Sequence, residues 1–416
     1  MRLPRSEFWN GVVTVLLGAT GAQLLPMLAA PLLTRLCTPA ELGGFSVWLG
    51  VIAVTSIMAT LRIDTVMVVE HERQQQLLCF GVVLHCATVV AVILTLCAAL
   101  ARALDLPALR AMSPFELLTI GIGTWLTACM QTTLAYAVSH RQFGKAARAK
   151  VLQAGAIAAS QLALLYAGLD GKALLAGQLI GLGAGLWAGW RLLAPPAPRP
   201  RLALDREQRA YLLRHQAFWR YALPSGLLNA VTGQLPLFMI GIHHGVVAAG
   251  LFALTQRVLG APVSLVAASV LDVFKRQAVQ EFKSVGNCHG VYCATFRALL
   301  LLALMPALAL FLFAPPLFAW MFGPDWRPAG ELARILARLC FLNFIASPLS
   351  YVFFVVGKQK LEMLWQVALF LVTLAVFCAP LSFHQSMLAY AAGRCLLYLV
   401  YLFLSHRCAQ GGRAFA

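Results

Sequence analysis

Acidic side chains are scarce in this sequence: across 416 residues, 15 Asp and Glu stand against 32 Lys and Arg, a formal net charge of +17. No acid falls in the interior of the long apolar runs. Charge of either sign is scarce as well, at 11% of residues, while 61% are hydrophobic and the mean hydropathy is +0.80. That is more apolar surface than a soluble core of this length could hide, which puts the chain in lipid. A basic excess in a soluble protein would suggest nucleic acid, but that needs a basic face interleaved with polar surface. Here the charges sit in short gaps between apolar runs, so no nucleic-acid partner is expected.

Catalytic and metal signatures are also missing. There is no HExxH, GxSxG, P-loop or DxD-like carboxylate pair, and His243-His244 has neither acid nor cysteine beside it. The eleven cysteines are an odd number, scattered without any CxxC, and read as small core residues. Outer loops of at most about seventeen residues leave little room for a catalytic platform. The expectation is therefore a protein that is not an enzyme, with no cofactor and no metal.

What is present is a series of apolar runs, each long enough to cross roughly 30 Å of hydrocarbon. Six can be drawn at 11–33, 44–61, 77–100, 117–138, 151–168 and 173–190, and six more at 221–242, 248–271, 292–314, 334–356, 361–379 and 387–405. The first is too long for a signal-peptide core and lacks a small-residue cleavage site after it, so it reads as a first span. Between the two sets lies a Pro-rich polar stretch, 191–220, with seven arginines. The predicted fold class is all-α and polytopic, with about twelve transmembrane helices. Its expected organisation is an N-terminal six-helix lobe at 1–193, a basic linker at 194–218 and a C-terminal six-helix lobe at 219–416.

Charge distribution orients the chain. With 191–220 in the cytoplasm, that face also receives Arg2, Arg5, Arg62, Arg73, Arg141, Lys145, Arg148, Lys150, Lys275, Arg276, Lys283, Lys358, Lys360, Arg407 and Arg413. The other face receives Arg35, Arg102, Arg110, Lys172 and Arg327. An imbalance of roughly four to one places both termini in the cytoplasm. A faint repeat supports two halves: Gln23-Leu-Leu-Pro26 and the Arg62-Ile-Asp64 step recur as Gln234-Leu-Pro236 and Asp272-Val-Phe-Lys275. Parallel repeats of this kind place the substrate path at the interface between halves, around a central cavity.

Inside the predicted spans lie Arg257, Arg297, Arg334, Arg338 and Arg394. Acids stay at the rims: Asp64, Asp272 and Glu362 at the cytoplasmic ends, Glu116 and Glu331 at the outer ends. A charge near the bilayer centre costs several kcal/mol and normally faces protein or water, which marks a substrate path. Arg257 lies about 15 Å below the outer surface by helical rise, too deep for easy snorkelling. With Thr255, Gln256 and, two turns on, Ser264, it suggests a wet helix face. If the helices bearing Arg257, Arg297 and Arg394 converge, the wall is cationic and suits a phosphate or diphosphate. Snorkelling or bonds to backbone carbonyls would serve Arg297, Arg334, Arg338 and Arg394 equally, and Arg334 with Arg338, one turn apart, reads as a phosphate-level anchor too. Asn229 and Gln234 are further candidates, although such groups more often join helices. Gly177, Gly181 and Gly185 form a small-residue stripe best suited to close helix contact.

These residues resemble a known family. Gln23–Val69, containing LLPMLAAPLLTRLCTPAELGGFSVWL and TLRIDTVMVV, is similar to the opening of bacterial polysaccharide exporters of the O-antigen flippase (Wzx-like) type. Tyr221–Val279, Arg141–Gln153 and Leu174–Gly185 add to the likeness. The resemblance implies the multidrug/oligosaccharidyl-lipid/polysaccharide exporter superfamily, a MATE-like fold of two lobes, and alternating access. It also implies an undecaprenyl-diphosphate-linked oligosaccharide as substrate, the bacterial inner membrane as location, and polysaccharide polymerase machinery as a possible partner besides membrane lipids. The substrate-binding set it suggests is Arg257, Arg394, Arg297, Arg62, Gln256, Asn229 and Gln234, with Asp64 and Asp272 as rim or coupling candidates. Two alternatives stand beside it: an ion-coupled multidrug exporter, which should need carboxylates inside the lobes, and a non-transporting component of a polysaccharide-assembly complex.

Overall fold

The computed structural model describes residues 5–68, 70, 72–104, 113–169, 171–195, 204–216 and 218–411. Arg2, Arg110, Arg199, Arg201 and Arg413, used above for orientation, lie outside the described residues. Among those described there are helices and no strand. In order they are α1 (Arg5–Leu36), α2 (Pro39–Thr60), α3 (Arg73–Ala103), α4 (Pro114–Ser139), α5 (Phe143–Tyr166), α6 (Gly171–Leu193), α7 (Arg206–Arg214), α8 (Leu223–Val285), α9 (His289–Phe322), α10 (Arg327–Leu349), α11 (Val352–Val355), α12 (Gln359–Cys378) and α13 (Phe383–Ala409). Each predicted apolar run falls on this series. Nine described segments are long and apolar enough to cross a membrane. One of them, Phe218–Gly260, lies mostly in α8, which breaks at Gly245 (φ 87°, ψ 170°), between the seventh and eighth predicted runs. Only glycine adopts that backbone conformation without strain, so a single residue separates two apolar stretches.

The acids at the rims have local work. Glu116 closes a capping box with Ser113 at the start of α4, its carboxylate accepting from the Ser113 N–H, and Glu41 does the same with Thr38 on α2. A carboxylate there satisfies N–H groups the helix cannot and complements the positive end of its dipole.

The chain forms two compact units, residues 1–238 and 239–416. In the first, α5 and α6 approach through the glycine stripe. A Cβ on Gly181 would lie 2.5 Å from Ile157 Cα, and one on Gly177 would lie 2.7 Å from Gln161 Cα. Two hydrogen bonds cross the contact: Ser160 Oγ donates to the Gly177 carbonyl (2.7 Å) and Gln161 Nε2 to the Leu174 carbonyl (2.9 Å). Close packing with interhelical hydrogen bonds is how helices associate where lipid offers no hydrophobic driving force. Part of the basic linker is also structured: α7 buries Tyr211 among Ile63, Met67 and Phe80, and His215 Nε2 lies 3.2 Å from Glu70. In the second unit α9 packs on α10, and α13 packs on both α10 and α12. Its core gathers Phe274, Tyr292, Phe344, Phe353 and Tyr401.

Candidate functional site

In the second unit, polar side chains from α10, α12 and α13 converge on a cavity of about 250 Å³. Its polar lining is Asn343, Ser347 and Ser350 from the α10 side, Glu362 and Gln366 from α12, and Arg394 with Tyr398 and Tyr401 from α13. The Arg394 guanidinium donates to the Tyr390 hydroxyl one turn earlier and lies over that ring, 5.3 Å from its centre. Tyr398 Oη donates to Asn343 Oδ1 at 2.9 Å, joining α13 to α10. Tyr401 Oη donates to one Glu362 carboxylate oxygen, and Gln366 Nε2 donates to the other at 3.2 Å. Arg394 Nε is buried without a hydrogen-bond partner. The Tyr390 ring and hydroxyl and the Tyr398 hydroxyl hold this cation and leave its Nε donor unused, a position from which it can receive an anion.

Glu362 is the member that sequence reasoning placed at a rim and did not count as a site. It lies in the first turn of α12, yet it is turned into the cavity between Tyr401 and Gln366. A carboxylate four residues before a glutamine on a helix start was the available signal, but its partner Tyr401 is 39 residues away.

The first unit holds the other charged candidates. Leu61 (φ 50°) and Arg62 (φ 59°) are both left-handed, so the chain turns sharply out of α2 into a 3-10 turn, Ile63–Val68. Two such residues in succession without glycine are costly, and the surroundings hold them there. The Arg62 N–H reaches Thr60 Oγ1 at 3.3 Å and Thr65 Oγ1 donates to the Arg62 carbonyl at 2.6 Å. The side chain lies against Gly226 of α8, where a Cβ would sit 3.3 Å from Arg62 Nε. Arg62 Nε and Asp64 Oδ1 are both buried without a hydrogen-bond partner. Burial pushes the Asp64 carboxyl above the usual carboxylate range, opposed by a hydrogen bond with Thr60 and by the Arg62 charge. Nearby, Gln234 of α8 meets α2 at Gly50, where a Cβ would lie 3.3 Å from Gln234 Oε1.

The remaining candidates are dispersed. Arg257 is half-buried on α8 and Gln256 is exposed, while Thr255 is buried and donates to the Ala329 carbonyl at 2.9 Å. Thr255 is thus a bond to the start of α10 and no part of a wet face with Arg257; two residues apart on a helix means about 200° of rotation. The Ser264 side chain lies outside the described residues. Arg297 and Asn229 are exposed, and neither Arg257 nor Arg297 lines the Arg394 cavity. Asp272 is exposed and sits 3.8 Å from Lys275 Nζ one turn on. His289, Cys293 and His406 come together with their ligand atoms within 4.8 Å of one another, a grouping across more than a hundred residues that spacing could not reveal.

A family described as polysaccharide biosynthesis protein matches residues 32–331. No curated protein sequence matches significantly. Among solved structures, the chain is similar to an inward-facing multidrug resistance MATE family transporter of the MOP superfamily (TM-score 0.67, 14% identity, 95% of this chain and 96% of that one). It is also similar to the lipid II flippase MurJ in an inward closed conformation (TM-score 0.72, 11% identity, 94% and 87%). A third likeness is to a MOP superfamily transporter from Pyrococcus furiosus (TM-score 0.59, 13% identity, 95% and 94%), described as having a binding pocket of reversed polarity. The chain therefore belongs to the polysaccharide biosynthesis protein family, a multi-pass membrane protein with the all-helical fold of MATE transporters and the MurJ flippase.

Proposed function

We propose that this protein is a flippase that moves an undecaprenyl-diphosphate-linked oligosaccharide from the cytoplasmic to the periplasmic leaflet of the bacterial inner membrane, both termini being cytoplasmic. The observation that carries the reading is Arg394, a cation within a membrane helix whose guanidinium is held by tyrosine and turned into a polar cavity. Membership of a polysaccharide biosynthesis family supports a lipid-linked sugar as cargo, and the likeness to transporters and a flippase supports movement across the bilayer without chemistry. In this reading the N- and C-terminal lobes alternate access. The diphosphate meets Arg394 and Arg257, with Arg62, Arg297, Gln256, Asn229 and Gln234 as further contacts, and the lipid chain stays in the bilayer. Charge-assisted, bidentate contacts of this sort are worth about 1.5–3 kcal/mol each, enough to hold a diphosphate without trapping it.

A second reading is favoured by Glu362. An ion-coupled exporter needs a carboxylate inside a lobe, and Glu362 lines the same cavity as Arg394. It is compatible with the first reading if protons drive the flippase, and replaces it if the cargo is a cationic drug. The test is reconstitution in proteoliposomes with a fluorescent polyprenyl-diphosphate oligosaccharide and, separately, a fluorescent lipophilic cation. Movement of the lipid-linked sugar well above protein-free vesicles supports the flippase. Movement of the cation alone rejects it in favour of drug export.

A further inference from the structure

Arg334 and Arg338 lie outside the Arg394 cavity. They line a separate groove of about 680 Å³ with His384, and the rest of its wall is apolar, including Phe311, Leu312 and Leu388. The groove is formed by α9, α10 and α13. On α10, Asn343 of the polar cavity is turned by about 140° from Arg338, so groove and cavity occupy different sides of that helix. The groove side is the one that α9 covers. Along α9, Leu301, Met305, Phe313 and Trp320 are each more than 60% exposed, a surface that belongs in hydrocarbon. The groove therefore opens towards lipid.

Two exposed arginines beside hydrocarbon are stabilised by an anion. Among the described residues no carboxylate lies within ion-pair distance of Arg334 or Arg338. Arg338 rests with its guanidinium 5.2 Å from the centre of the Phe311 ring, a contact that positions it. One turn separates the two arginines, which puts them on the same face of α10, and both line the groove. His384, the second residue of α13, stands at the same end of the groove. A cationic mouth above an apolar floor is the complement of an amphiphile with a negative head. The lining has no Asn, Gln, Asp or Glu with which to bind sugar.

We infer that this groove is a binding site for an anionic phospholipid of the surrounding bilayer, its phosphate held by Arg334, Arg338 and His384 and its acyl chain lying along Phe311, Leu312 and Leu388. Snorkelling alone would explain neither the histidine brought from α13 nor the walled groove beneath the charges. The site does not depend on what the protein transports. The test is native mass spectrometry of delipidated protein titrated with phosphatidylglycerol, phosphatidylethanolamine or polyprenyl diphosphate. Phosphatidylglycerol should bind in preference to phosphatidylethanolamine, and the double variant Arg334→Gln/Arg338→Gln should weaken it at least about tenfold, the change for loss of one charge-assisted contact. Ala392→Trp, at an exposed groove position, should displace the lipid with the charges intact, and Arg148→Gln on α5 should change nothing. Equal binding of the two phospholipids, undiminished phosphatidylglycerol binding by the double variant, or displacement of phosphatidylglycerol only by polyprenyl diphosphate in every variant would overturn the inference. Because the assay reads binding and not translocation, its failure leaves the flippase reading untouched.

Discussion

Replacing Glu362 with glutamine separates a structural acid from a coupling acid. In the intact protein both carboxylate oxygens accept hydrogen bonds, one from Tyr401 Oη and one from Gln366 Nε2. Glutamine keeps one acceptor and presents an amide N–H₂ where the second donor points, so one bond is lost and a donor is left facing a donor. Loss of one charge-assisted bond and weakening of the other costs about 2 kcal/mol, a fall in Tm of a few °C for a chain of this size. Tyr401→Phe removes one of the same bonds and leaves the carboxylate in place. Thermal unfolding in detergent should therefore show both variants destabilised by comparable amounts. Transport should divide them: if Glu362 carries the proton, Glu362→Gln loses the response of translocation to an imposed pH gradient and Tyr401→Phe keeps it. Retention of the gradient response by Glu362→Gln refutes the coupling role. A variant as stable as the intact protein refutes the hydrogen bonds themselves.

Other consequences are as specific. Gly181→Leu puts a Cβ 2.5 Å from Ile157 Cα, where only separation of α5 and α6 can relieve it, and should cost at least about 1–3 kcal/mol of stability, visible as loss of monodisperse protein on size exclusion. Gly183→Ala, two residues on with nothing within 4 Å, should be neutral or stabilise the helix by up to about 1 kcal/mol. Asp64 is held above its ordinary value by burial, so its charged form is the costly one and its contribution is lost as pH rises through that raised value. Asp64→Asn should thus raise Tm at pH 8, with the gain shrinking as pH falls towards the usual carboxylate range, and a constant difference across that interval would contradict the assignment.

The fold was legible because its cause is local. Each apolar run is long enough to span hydrocarbon on its own account, and the glycine stripe at 177, 181 and 185 states its close contact by spacing alone. The break at Gly245 falls in the gap drawn at 243–247, but a short polar gap does not distinguish a broken helix from two helices joined by a loop. The site was legible only in part. Arg394 stood out as a charge in an apolar run, whereas its cavity depends on Asn343, Glu362 and Tyr398 arriving from three helices, a fact of packing that no spacing encodes. Thr255 shows the opposite error. Beside Arg257 in sequence it suggested a shared wet face, but two helical steps turn it to the far side, where it binds the Ala329 carbonyl. The basic linker was readable as charge and proline, and the burial of Tyr211 that docks its helix was not.

The central claim is that a half-buried cation within a membrane helix receives the phosphate of a lipid-linked sugar, and its most direct test is the rate of translocation by Arg394→Ala in proteoliposomes, with Arg148→Ala as a control on exposed charge. Loss of one charge-assisted contact, about 1.5–3 kcal/mol, slows transport by roughly 10- to 150-fold if Arg394 binds the diphosphate, and the control moves cargo at the intact rate. A folded Arg394→Ala protein that translocates as fast as the intact one would contradict the account.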